Sequence, residues 1–146
     1  MKNIEAPDRE KASGYLMYEL IRDNMYDWDD NDIIYLVEDD YMHISGWPIV
    51  LQNVYDMYDG VDYVSLYDHP DKYTQRYQGL SSSCGTFAGR VRTFKEDLDI
   101  HMGSLGDHNK FTLLAQRNRN MISAMPAFAT HCVNPWTSPF RDWVKV

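Results

Sequence analysis

The chain has 146 residues, a length that fits one domain of ordinary size. Its composition is 44% hydrophobic, 14% aromatic and 25% charged, which is typical of a folded globular protein and excludes a disordered or fibrous chain. Acidic residues number 22 against 14 basic ones, so the formal net charge is −8 and binding along a nucleic-acid backbone is not expected.

The sequence contains no run near the roughly 18 apolar residues that a membrane span needs. The first residues also lack the apolar core of a secretory signal. We therefore expect a single cytoplasmic domain over residues 1–146 with no membrane span. Cys84 and Cys132 are too far apart for a CxxC metal site, and two cysteines are too few for a disulfide framework, so both are predicted to be reduced and buried.

The first predicted element is a helix that follows a short lead over residues 1–12. Ser13 is its expected N-cap, and the helix runs to Met25. Its apolar residues recur at three- and four-residue spacing and predict one buried face, formed by Leu16, Met17, Leu20, Ile21 and Met25. The β-prone run from Ile33 to Val37 is continuous, which predicts a central parallel strand buried on both faces.

A second helix is predicted to open at Trp47 and Pro48 and to end at Gly60. Its apolar residues are Val50, Leu51, Val54 and Met57. A short strand from Tyr63 to Tyr67 follows. The strand, helix and strand together predict a right-handed crossover between two parallel strands.

Shorter helices and strands are predicted in the second half of the chain. A strand within Ser81–Val91 carries small side chains that allow close approach to a ligand, and a short helix covers Phe94–Ile100. Asp107 is the expected N-cap of a helix that ends at Arg119 and buries Phe111, Leu114 and Ala115. Residues 126–146 contain three prolines and predict an irregular segment packed over the sheet. The fold class expected is α/β, with a small, mainly parallel or mixed sheet flanked by helices.

Three consecutive carboxylates, Glu38, Asp39 and Asp40, follow the predicted central strand. Because burying a charge without a partner costs several kcal/mol, a bound cation is the simple remedy. Carboxylate oxygens suit Mg²⁺ or Mn²⁺, and either ion can bridge to a diphosphate. A solvated acidic turn is the alternative interpretation.

Further candidate residues lie later in the chain. His131 lies between an apolar stretch and a Pro-Trp turn, where a neutral imidazole can complete a metal site or serve as a hydrogen-bonded core histidine. Glu96 and Asp97 open a predicted helix, whose dipole favours an ionised carboxylate and therefore a general base, or only charge stabilisation of the helix end. The loop that starts at Asp68 has the composition of a functional loop.

Four segments carry a family resemblance: DIIYLVEDDYMH, DYVSLYDHPDKY, SSSCGTFAGRVRTFKEDLDI and MPAFATHCVNPWTSPFRDW. In this order and spacing they resemble the catalytic part of a GT-A-fold glycosyltransferase of the family-two-like type, from Ser13 to Trp143. The resemblance implies a truncated GT-A, Rossmann-like fold. It also implies a nucleotide-sugar donor, Mn²⁺ or Mg²⁺ as cofactor, and single-step inverting transfer to an acceptor hydroxyl.

The resemblance also implies roles for individual residues. Asp40 is the expected direct metal ligand, with Glu38 and His131 as further metal contacts. Asp97, beside Glu96, is the expected base that takes the proton of the acceptor hydroxyl. The donor sugar and its diphosphate would lie near Asp39, Asp68, His69 and Asp71.

One departure from the family concerns the start of the chain. GT-A enzymes begin with a strand-helix-strand region of about 30 residues or more that holds the nucleotide, and residues 1–12 are too short to supply it. We therefore expect a homodimer or a partner subunit to complete the nucleotide site. Two alternatives stay open: a degenerate relative that binds without turnover, and a metal-dependent hydrolase of a phosphorylated substrate.

Overall fold

The computed structural model of the chain describes residues 9–70, 86–103, 105–133, 135 and 137–145. The elements in this part of the chain, in order, are α1 (Arg9–Asn24), β1 (Ile33–Leu36), β2 (Tyr41–His43), α2 (Trp47–Met57), β3 (Tyr63–Ser65), β4 (Phe87–Arg90), α3 (Val91–His101), α4 (Asp107–Gln116), β5 (Met121–Ser123) and β6 (Ala129–His131). Among the described helices, none combines the length and the apolar character needed to cross a membrane.

The strands form a mixed four-stranded sheet and a separate two-stranded sheet. The larger sheet has the order β1-β4-β3-β5, in which β4 is antiparallel to both β1 and β3, and β5 is parallel to β3. The smaller sheet pairs β2 with β6 in antiparallel fashion. The expected class, α/β with a small mixed sheet flanked by helices, is therefore confirmed.

The position predicted for the first strand is wrong. Strand β1 lies at the edge of the described sheet and is antiparallel to its neighbour, whereas the sequence predicted a central parallel strand. The centre belongs to β3 and β4, where Tyr63, Val64 and Ala88 have no exposed surface. Strands β1 and β3 do run in the same direction, as a strand-helix-strand unit requires, but β4 is inserted between them.

The predicted buried face of the first helix is confirmed in part. Helix α1 starts at Arg9, so Ser13 lies inside the helix and is not its N-cap. Ile21 and Met25 are buried as expected, whereas the prediction that Leu16 and Leu20 are buried is wrong. The buried face instead includes Tyr18, whose ring stacks on His101 of α3 with centroids 5.0 Å apart.

The other helices follow the prediction more closely. Helix α2 begins at Trp47 after Gly46, whose φ of 84° is favourable for glycine, and it buries Leu51. Helix α4 buries Phe111 and Leu114 as expected, although Gly106, not Asp107, is its N-cap. Three short strands were not predicted: β2, β5, and β6 within the segment expected to be irregular.

Two apolar cores lie on opposite faces of the larger sheet. Alternating side chains of its strands divide between them, as the two-residue period of a strand dictates. Leu36, Tyr63 and Phe87 pack with helices α1, α3 and α4. Val64 and Ala88 pack with α2 and with residues of the small β2–β6 sheet. The small sheet therefore belongs to the second core, and that side carries the candidate site.

Candidate functional site

The small sheet joins Asp40 and His131, two residues predicted as metal ligands. Strands β2 and β6 pair so that Tyr41 faces His131, and Asp40 directly precedes β2. The backbone carbonyl of Asp40 accepts a hydrogen bond from the N–H of Cys132 at 2.8 Å. Asp40 Oδ2 then lies 3.0 Å from His131 Nε2. The pairing of the two strands thus fixes the contact from both sides.

One oxygen of this pair has no hydrogen-bond partner among the described residues. Asp40 Oδ1 is shielded from solvent and accepts no hydrogen bond from that part of the chain, although the side chain as a whole is 44% exposed. A buried acceptor left without a donor is unfavourable by about 1–3 kcal/mol, and more if it is charged. A divalent cation is a partner for such an oxygen. The chemistry of the pair, one carboxylate and one imidazole, suits Mn²⁺ and to a lesser degree Mg²⁺.

The tautomer of His131 follows from its second contact. His131 Nδ1 accepts a hydrogen bond from the backbone N–H of Val133 at 3.3 Å. The proton of the neutral ring is therefore on Nε2, which donates it to Asp40. A metal ion bound at Nε2 would displace this proton. If the proton then moved to Nδ1, that nitrogen could no longer accept the hydrogen bond from Val133.

A row of aromatic rings connects this pair to the loop after β3. His131 packs edge-on against Tyr41 at 5.0 Å between centroids, Tyr41 against Tyr67 at 5.2 Å, and Tyr67 against His69 at 5.5 Å. His69, predicted to lie near the donor sugar, is therefore on the same side of the fold as the pair. Asp68 beside it is buried, and its N–H donates to Ser138 Oγ at 3.3 Å.

The remaining carboxylates of the acidic motif do not join the pair. Glu38 and Asp39 are exposed, and the N–H of Glu38 donates to Thr86 Oγ1 at 3.3 Å. Across the described ranges, no three His, Cys, Asp or Glu residues are grouped so that they could hold a metal ion. Asp71 lies outside the described residues. A metal at this site would thus have Asp40 and His131 as its protein ligands, with water and substrate phosphate as the others.

Asp97, predicted as the base, has a different environment. Its carboxylate has no exposed surface and lies on the opposite face of the sheet from the pair, with the first core. It accepts hydrogen bonds from the hydroxyl of Tyr63 at 2.8 Å, from Arg119 at 2.8 and 3.1 Å, and from Arg117 at 3.3 Å. Glu96 is exposed and pairs with Arg119 at 2.6 Å. This geometry favours a structural role for Asp97 over proton transfer with a substrate.

Sequence reasoning missed the partners of Asp97 and one exposed thiol. Arg117 and Arg119 follow α4 and lie two residues apart in the sequence. This pair of arginines, together with the acidic residues of α3, was the available signal for an ion-pair cluster. Cys132 is a free thiol, as expected, but the prediction that it is buried is wrong. It directly follows His131 at the end of β6, where the chain leaves the small sheet. Cys84 lies outside the described residues.

Comparison of the chain with models of protein families, with curated proteins and with solved structures finds no match in any of the three.

Proposed function

We propose that this chain is a metal-dependent glycosyltransferase that moves a sugar from a nucleotide-sugar donor to an acceptor hydroxyl, with inversion. The observation that carries the proposal is the contact of Asp40 with His131 across the small sheet, where Asp40 Oδ1 has no hydrogen-bond partner among the residues that the structure describes. Asp40 and His131 are two of the three residues to which the family resemblance assigns the metal, and the third, Glu38, is exposed and is not grouped with them in the described part of the chain. Their contact supports a shared role, because the two residues are remote in the chain.

In this proposal Asp40 and His131 bind the ion, Mn²⁺ or Mg²⁺. When bound, the ion would neutralise the negative charge that builds on the departing nucleoside diphosphate. Asp39, Asp68 and His69 would contact the donor, a role that the family resemblance also gives to Asp71. This proposal assigns no proton acceptor for the attacking hydroxyl, because the oxygens of Asp97 already accept hydrogen bonds from Tyr63, Arg117 and Arg119.

A second candidate function is binding of a nucleotide sugar without turnover. The observation that favours it is the burial of Asp97, since the residue expected to act as base is unavailable to an acceptor. Binding at Asp40 and His131 needs no base, so metal-dependent affinity would persist without transfer.

The two candidates share a first test, which is thermal unfolding with Mn²⁺ and each of UDP, GDP, ADP, CDP and dTDP. A ligand of the native state raises the melting temperature by mass action. We expect one nucleotide with Mn²⁺ to raise it. Asp40→Asn and His131→Gln should each weaken this binding about tenfold or more. Asp23→Asn, which removes an exposed carboxylate of α1, is the matched control and should leave it unchanged.

Turnover then separates the candidates. Release of the nucleoside diphosphate from its nucleotide sugar in the presence of acceptor sugars supports the transferase. Binding that depends on Asp40 but never leads to release supports the second candidate. A wild-type chain whose melting temperature does not respond to any of the five nucleotides with metal contradicts both.

The expected homodimer or partner subunit, and the cytoplasmic location, stay predictions. Two features are typical of surfaces that pair with another chain. Among the described strands β1 pairs on one side only, with β4. Leu16 and Leu20 on α1 are 59% and 63% exposed.

A further inference from the structure

His43 and Tyr35 form a short hydrogen bond beside the candidate metal pair. Tyr35 Oη lies 2.6 Å from His43 Nε2. The ring of Trp47 packs against both, with centroids 4.9 Å from Tyr35 and 5.2 Å from His43. These contacts hold the imidazole in one orientation from two sides.

The polarity of this hydrogen bond follows from the chemistry of its two groups. A phenol O–H is a stronger acid than an imidazole N–H, so Tyr35 is the better donor and His43 Nε2 the better acceptor. Burial raises the pKa of Tyr35 and lowers the pKa of His43, so both groups are neutral near pH 7. The proton of the His43 ring is therefore on Nδ1. Within the described part of the chain, Nδ1 has no hydrogen-bond partner.

The strand register places His43 near His131. Tyr41 faces His131 and His43 faces Ala129, so all four side chains are on one face of the β2–β6 sheet. His43 and His131 are diagonal neighbours on that face, and such neighbours lie about 7–8 Å apart. Side chains at that backbone separation on one face can contact the same small ligand, so a group bound at Asp40 and His131 can also meet His43.

We propose that His43 is a substrate-binding residue whose Nδ1–H donates a hydrogen bond to a diphosphate oxygen of the nucleotide-sugar donor. Tyr35 is the positioning residue that fixes the donating tautomer. This inference rests on the proposed function, because it needs the diphosphate to lie against Asp40 and His131. A diphosphate is the chemistry that fits best, since its oxygens accept hydrogen bonds and carry the charge that makes such bonds strong.

Two substitutions of His43 with opposite expected effects test the inference. The side-chain amide of asparagine places an N–H close to the position of Nδ1, whereas that of glutamine places its polar atoms near Nε2. His43→Gln keeps a partner for Tyr35 and loses the proposed donor, while His43→Asn does the reverse. A lost hydrogen bond to a charged group weakens binding about tenfold or more. We expect that loss for His43→Gln and a dissociation constant within about threefold of wild type for His43→Asn.

The measurement is calorimetric titration with Mn²⁺ and UDP, GDP, ADP, CDP and dTDP in turn. Tyr35→Phe removes only the orienting hydroxyl and should weaken binding by less than His43→Gln does. Met42→Leu, on the same strand but the opposite face, is the control and should bind as the wild type does.

Three results would overturn the inference. If His43→Gln binds as tightly as wild type while Asp40→Asn does not bind, His43 makes no contact and the proposed function stands. If His43→Asn is as weak as His43→Gln, the loss is structural and the donor role is wrong. If the wild-type chain binds none of the nucleotides with metal, the inference fails together with the proposed function.

Discussion

Asp97 is a buried carboxylate that accepts hydrogen bonds from three residues. Its carboxylate is fully buried, yet it is held by Tyr63 and by two arginines that reach in from the end of α4. Removing one member of a buried ion pair leaves the other charges uncompensated and typically costs about 3–5 kcal/mol. The residue that resembles a catalytic base therefore has the environment of a structural anchor between α3 and the segment after α4.

The substitution Asp97→Asn tests this interpretation. We expect it to lower the free energy of unfolding by about 3 kcal/mol, because asparagine carries no negative charge to compensate Arg119. Urea unfolding measures the change. Asp99→Asn is the matched control, since Asp99 is 64% exposed and pairs with Arg117 at the surface, where a pair is worth at most about 1 kcal/mol. An Asp97→Asn chain that keeps its stability and loses only turnover would instead support the role of base.

Gly89 determines how the central strand packs against α3. A methyl group built on it would lie 2.9 Å from Phe94 and 3.0 Å from Tyr63, and both rings are buried. Overpacking of this kind typically costs about 1–3 kcal/mol, because the rings have no free space to move into. We expect Gly89→Ala to lower the free energy of unfolding by that amount.

A second glycine provides the control for Gly89→Ala. Gly106 precedes α4 with a φ of −66°, and nothing lies within 4 Å of a methyl group built there. Gly106→Ala should therefore change stability by less than about 1 kcal/mol, because the added methyl group meets no atom and alanine restricts the unfolded chain, which offsets part of the preference of an N-cap for glycine over alanine. If both variants unfold at the same urea concentration, the close packing of Phe94 and Tyr63 on Gly89 is not a constraint.

The helices were easier to predict than the strands for a physical reason. Three- and four-residue spacing is a local signal, so the helices that begin near Trp47 and Asp107 were found. A strand of three residues, such as β5 or β6, is too short to show a period and is defined by its neighbours. The order of strands in a sheet also depends on contacts between residues remote in the sequence. The apolar run that starts at Ile33 is compatible with an edge strand as well as with a central strand.

Part of the candidate site could likewise be predicted from local sequence, and part could not. Asp40 and His131 were recognisable from residue type and sequence context, and the register of the small sheet then brought them together. The contacts of Asp97 were missed, because its arginine partners come from a later segment and their spacing in the sequence is a weak signal. The bond between Tyr35 and His43 joins β1 of one sheet to β2 of the other, so no local pattern indicated it.

On the scale of the whole molecule, one buried histidine makes stability depend on pH. His101 is 2% exposed and packs among Tyr18, Tyr63, Phe87 and Phe94. Tyr63 donates its hydroxyl proton to Asp97, so its oxygen accepts a hydrogen bond from His101 Nε2 at 2.9 Å. The other ring nitrogen, Nδ1, is buried and has no hydrogen-bond partner within the described ranges. Burial among these rings lowers the pKa of His101 from 6.5 to about 4.

The sign of the pH effect follows from proton uptake. Between pH 6.5 and 4 the unfolded chain protonates His101 and the folded chain does not, so the free energy of unfolding falls as the pH falls through this window. The total loss is roughly 3 kcal/mol, complete near pH 4, and His101 contributes no pH dependence above about pH 7. Urea unfolding at pH 7, 5.5 and 4 measures it.

The variant His101→Gln isolates this contribution. The pKa of His43 is also lowered by burial, so His43 acts in the same direction, but it is present in both proteins and cancels in the comparison. We expect the variant to be less stable than wild type at pH 7, because a packed ring is lost, yet to lose less stability between pH 7 and 4. Equal losses for the two proteins would mean that His101 takes up its proton without unfolding, and that the core around Tyr63 opens to water at acid pH.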